Sequence, residues 1–145
     1  MTALPLETAD RIAEDCLRLG RAAGYAPLTV AVLDAGGHTT VLKRSDGSGI
    51  MRGDIAFGKA WGALGMGLSS RALAKRSAAA PIFYSSLAAV SAGRLIPVPG
   101  GVLVKTEDGD IVGAVGVSGD TSDNDEDCAV QAIRSVNLIP DIEER

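Results

Sequence analysis

Two short glycine turns constrain this chain more than any other feature. Residues 34–40 read DAGGHTT and residues 106–112 read TEDGDIV. In each, glycine stands between two runs of β-type residues. LTVAVLD (28–34) precedes the first turn and HTTVLKRS (38–45) follows it. The second, at Asp108-Gly109, divides the strand-like stretch 94–120. Glycine supplies the positive φ that tight hairpin turns require, and Asp-Gly between apolar runs is a strong hairpin signal. A parallel sheet would need a long crossover between successive strands. No such β-α-β alternation occurs, so the pattern predicts an antiparallel sheet with helices packed on it, an α+β domain.

Helical spacing supplies the other elements. Leu6, Ala9, Ile12, Ala13, Cys16, Leu17 and Ala23 recur at helical intervals over 5–23, with Pro5 suited to the start and Gly24 to the stop. The stretches 52–67, 71–78, 82–93 and 122–139 also read as helices, Ser69 or Ser70 opening the helix at 71–78. For the last helix, Asp123 is the expected cap, with Glu126 in the capping-box position and Pro140 as the stop. Gly58 and Gly62 lie four apart on one helix face. Each weakens the helix by roughly 1 kcal/mol, so close approach of another backbone is expected there, within the chain or across a subunit contact.

The 145 residues suggest one domain spanning 1–145. Aromatics make up only 3% against 46% apolar residues, so the core must be aliphatic and few platforms exist for stacking bases. A net charge of −4 argues against nucleic-acid binding. The charge is uneven: residues 1–76 carry net +3 and residues 77–145 net −7. This fits ordinary solvated faces, or a basic surface of one subunit meeting an acidic surface of another. Cys16 and Cys128 provide no disulfide framework or zinc-ligand spacing and read as buried thiols. The N-terminal stretch has no basic-then-apolar leader, and no apolar run approaches the ~18 residues of a membrane span. The expected setting is cytoplasmic.

Several motifs fail on inspection. GDIAFGKA (53–60) nearly matches a phosphate-binding loop, but Ala60 replaces the metal-binding hydroxyl and the stretch reads as helix. GAVGVSGD (113–120) has the spacing of neither a dinucleotide-binding turn nor a nucleophile elbow. Its last residues, Ser118 and Gly119, nonetheless precede a helix start, where amides can hold an anion. DTSDNDED (120–127) lacks the glycine and glutamate of a calcium loop, and acids at a helix start follow from the dipole alone. PVPGG (97–101) is a stiff turn that can form a pocket wall.

Taken together, VAVLDAGGHTTVLKR, DIAFGKAWGAL, PVPGGVLVK and DGDIVGAVGVSGDTSDNDEDCA resemble the GlcG/HbpS family of haem-binding proteins. That family also includes the C-terminal domain of some corrinoid adenosyltransferases. The resemblance runs from about residue 5 to 139. It implies a profilin-like or PAS-like fold, an antiparallel sheet of about five strands flanked by helices. It further implies homo-oligomers, often octamers built from dimers, that bind haem or a related tetrapyrrole. Haem degradation is claimed for some members, and others are encoded beside catabolic genes. Secreted members bind iron through Glu-x-x-Glu pairs. The nearest pair here is the adjacent Glu143-Glu144.

Two functional expectations follow. In the first, a small-ligand protein binds haem, with His38, the only histidine, as the candidate axial ligand and Arg44, Arg52 and Lys59 as propionate partners. In the second, an enzyme or accessory protein acts on a small organic acid or ketone. Lys59, Pro99, Gly100, Gly101, Ser118, Gly119 and Asp125 then line an anion-binding pocket at a subunit interface.

Overall fold

The computed structural model describes residues 3–142. Glu143 and Glu144 lie outside them. Helix α1 (Leu6–Ala23) is followed by β1 (Thr29–Asp34) and β2 (Thr39–Arg44). Then come α2 (Arg52–Met66), α3 (Ser70–Ala79) and α4 (Pro81–Val90). The chain returns through β3 (Gly101–Lys105), β4 (Ile111–Ser118), α5 (Ser122–Ser135) and the short β5 (Ile139–Pro140). Both predicted hairpins form, and Gly37 and Gly109 hold the positive φ of their turns, 85° and 88°.

The five strands lie in the order β2-β1-β4-β3-β5, each pair antiparallel. Alternation along the strands gives the sheet two apolar faces. Val30, Val32, Val102, Val104, Val115 and Val117 meet α1 and α5 through Ile12, Cys16, Cys128 and Ile133. Leu33, Leu103 and Ala114 point the other way, onto Ala60 and Ala63 of α2. Helices α3 and α4 close a smaller cluster around Leu68, Leu73 and Tyr84. The core is aliphatic, as the scarcity of aromatics demands.

Three local expectations are corrected. The strand-like stretch 94–100 is turn and loop, with β3 starting only at Gly101. This segment lies along α2: a Cβ on Gly58 would stand 2.3 Å from the Arg94 carbonyl oxygen, and one on Gly62 would stand 3.1 Å from the Leu95 side chain. Close approach within the chain therefore accounts for both helix glycines without a subunit contact. Helix α5 ends at Ser135, and the chain beyond it turns back to pair Pro140 with Val104. Its cap is Thr121, whose hydroxyl accepts from the Asn124 amide at 3.2 Å. Asp123 and Glu126 instead bind the Arg71 guanidinium.

Candidate functional site

The glycines of β3 and β4 let α2 settle directly on the sheet. A Cβ at Gly116 would lie 1.8 Å from the Ala56 carbonyl oxygen, and one at Gly101 would lie 2.2 Å from that of Lys59. The Lys59 side chain then runs over Gly100, where a Cβ would come within 2.7 Å of its ammonium nitrogen. Its Nζ donates to the Val117 carbonyl at 2.9 Å and to Asp125 Oδ2 at 3.2 Å. Both residues are buried, 2% and 1% exposed. Burial lowers the Lys59 pKa, and the Asp125 carboxylate opposes that shift.

The fold thus brings Lys59, Gly100, Gly101 and Asp125 together from α2, the start of β3 and α5. Ser118 is adjacent, at the end of β4, and accepts from Arg52 Nη1 at 3.1 Å. Pro99 precedes this group in the loop before β3. Gly119 lies with its Cα against the Pro27–Leu28 backbone. The arrangement ties α2, β4 and α5 into one unit. It leaves no clear anion clamp, because the lysine charge already faces a carboxylate at hydrogen-bond distance. The start of α5 is similarly occupied: Thr121 takes the Asn124 amide and Asp125 Oδ1 takes the Asp120 amide at 3.0 Å.

His38 stands elsewhere, on the β1–β2 turn, with its side chain 81% exposed. Asp34 Oδ1 accepts from the Gly36 and His38 amides, each at 3.0 Å, and lies 3.3 Å from His38 Nδ1. The His38 amide is the main cause of a lowered Asp34 pKa. Engagement of Nδ1 by a carboxylate leaves Nε2 as the nitrogen facing away, an arrangement common among metal-binding histidines.

Beside this turn is a feature that sequence reasoning missed. The Trp61 indole of α2 lies against Gly37, and the Arg94 guanidinium sits 4.2 Å from the centre of the Trp61 ring. A shallow cavity runs along Ala35, Gly36, Gly37, Trp61, Leu64 and Gly65. An apolar neighbour shares Trp61 and Gly65 and adds Met66, Leu87, Val90 and Leu95. The one tryptophan of the chain was the available signal, but only the fold sets it against Gly37 of the histidine turn.

Arg44 does not join this group. It and His38 stand at opposite ends of β2, roughly 20 Å apart at about 3.3 Å per residue. Arg52 is engaged with Ser118, and Lys59 is buried. The three cations expected as propionate partners are therefore not gathered at the histidine turn, while Arg94 stacks on the Trp61 ring that packs against Gly37.

These features define a class first: a small α+β domain in which helices cover both faces of a five-stranded antiparallel sheet. A family model described as haem degrading protein HbpS-like matches residues 4–134, and the chain belongs to this HbpS-like family. The chain is 29% identical over 112 residues to the corrinoid adenosyltransferase PduO of Salmonella typhimurium. That match takes in 77% of the chain but only 33% of the relative, so the chain spans about a third of that enzyme's length. The crystal structure of HbpS superposes with a TM-score of 0.79 at 31% identity, covering 94% of this chain and 91% of that one. The PduOC:haem complex gives 0.84 at 25% identity, with 94% and 96% covered. Klebsiella pneumoniae protein ORFY gives 0.82 at 25% identity, with 93% of each covered.

Proposed function

We propose that this protein binds haem or a related tetrapyrrole, with His38 as the axial ligand, and works as a homo-oligomer. The observation that carries the reading is the likeness along nearly the whole chain to a structure that holds haem, PduOC, joined to membership of the HbpS-like family. The donor set fits. Haem requires an axial donor, an apolar bed and a cation for its propionates. His38 is the axial donor of this reading; Trp61, Leu64 and Leu87, which line the cavities beside its turn, form the apolar bed, and Arg94, over the Trp61 ring, is the cation. The two thiols are poor alternatives: Cys16 and Cys128 are buried, and burial pushes the Cys128 pKa up to about 11.

The oligomer reading is supported by α4. Its only buried residue is Tyr84, while Ile82, Phe83 and Val90 are exposed. Contiguous exposed apolar surface of this kind marks association sites.

Haem titration followed by the Soret band tests the ligand. Saturable binding is expected, with a changed spectrum in His38→Ala. No Soret change on mixing overturns haem binding, and an unaltered spectrum in His38→Ala overturns the axial role.

A further inference from the structure

A second cleft, of about 390 Å³, opens at the far end of the β1–β2 hairpin from His38, where it meets the end of α1. Arg21 and Arg44 both line it, and Asp46 is the one acidic lining residue. Leu17, Pro27 and Leu28 give it an apolar wall. From these groups we infer a binding site for a small monocarboxylate with an apolar body, independent of the haem reading.

The frame of the cleft is fixed before any ligand arrives. The Tyr25 amide donates to Gly20 O at 3.0 Å, and the Ser45 amide donates to Leu28 O at 2.9 Å. Arg44 Nη1 donates to Ser48 O at 2.9 Å, which orients the guanidinium from behind. A guanidinium has five N–H donors, so most remain for a planar carboxylate. Arg21 is held only loosely, 4.0 Å from Glu14, and can swing onto the same group. Among the lining residues, Arg21 and Arg44 against Asp46 leave a single positive charge, and Glu14, outside the lining, is bound to Lys43 at 2.9 Å. That balance suits a monoanion better than a cation or a phosphate dianion. The size lies within the range of small-molecule sites, where an apolar wall supplies affinity and a few charges fix orientation.

The test is a ¹H–¹⁵N correlation titration of the full chain with benzoate, and with benzamide as its neutral counterpart. Saturable benzoate shifts are expected at the amides of Tyr25, Leu28 and Arg44. Benzamide and the Arg21→Gln/Arg44→Gln double variant should each bind about tenfold more weakly, as expected for loss of a charge-assisted pair. Asp46→Asn should bind benzoate more tightly. The same spectra report whether each variant is folded. His38→Ala should bind benzoate unchanged, which separates this site from the haem reading. No saturable shift, equal binding of benzamide, or undiminished binding by the double variant overturns the proposal.

Discussion

Lys59 Nζ lies 3.2 Å from Asp125 Oδ2 with both side chains almost wholly removed from solvent. The pair joins α2 to α5 across the end of β4. Breaking such a pair from one side leaves an uncompensated buried charge, which costs about 3–5 kcal/mol. Lys59→Met should therefore lower stability by that order in urea unfolding. Lys59→Met/Asp125→Asn should recover a good part of the loss, because no buried charge remains. A double variant no more stable than Lys59→Met would show that packing, and not charge pairing, governs this contact.

Gly116 on the sheet and Gly65 in α2 should respond in opposite senses to alanine. A Cβ at Gly116 meets the Ala56 carbonyl, so Gly116→Ala must push α2 off the sheet. A Cβ at Gly65 meets nothing within 4 Å. Gly65→Ala should raise stability by about 0.5–1 kcal/mol through helix propensity, while Gly116→Ala should lower the thermal midpoint. Thermal unfolding of the two variants side by side measures the contrast.

The cap of α5 is open to a direct comparison. Thr121→Ala should cost about 1 kcal/mol through loss of the bond to the Asn124 amide. Asp123→Ala removes no cap and should cost less. Equal losses in chemical denaturation would return the capping role to Asp123.

Acid should loosen the molecule through particular carboxylates. The Asn124 side chain and the Ala26 amide hold Asp120 below its usual 3.8, and Asp34 is lowered by the His38 amide. Their folded pKa values lie below the unfolded ones, so their contribution is complete above 3.8 and is lost as pH falls through the lower folded values. Below about pH 4 stability should decline, and the decline should be shallower in Asp120→Asn. Urea midpoints measured across that range give the slope. An identical slope in the variant would remove Asp120 from the acid response.

The exposed face of α4 predicts a change of assembly. Phe83→Glu with Val90→Glu should shift the particle to a smaller species in light scattering, with unfolding of the subunit unchanged. A wild-type monomer would overturn the oligomer reading directly.

Much of this was legible in local pattern. Helix spacing in 5–23 and the two glycine turns predict their elements closely, because both depend on interactions within a few residues. The start of α5 at residue 122 is read correctly, but its cap is not, because Asp123 and Thr121 are both competent caps by type and Arg71, 52 residues away, engages Asp123. The stretch 94–100 reads as strand from its apolar and β-branched residues, but its place is set by the glycine face of α2. The site was legible only in parts. Lys59, Gly100, Gly101, Ser118 and Asp125 stand out as residue types in glycine-rich or acidic surroundings, yet the lysine's buried partner is 66 positions distant. Trp61 and Arg94 give no local sign of meeting at the cavity beside the β1–β2 turn.

What the sequence determines by itself is the antiparallel α+β class, the aliphatic core and the position of the only imidazole on a hairpin turn. These follow from φ requirements, periodicity and residue inventory, all short-range or additive properties. The tertiary structure alone decided that Lys59 is locked to Asp125, that the helix glycines admit the chain's own backbone, and that Trp61, with Arg94 on its ring, packs against Gly37 of the histidine turn. Those outcomes depend on which faces meet when α2 packs on the sheet, and burial then determines whether a charge is free to act.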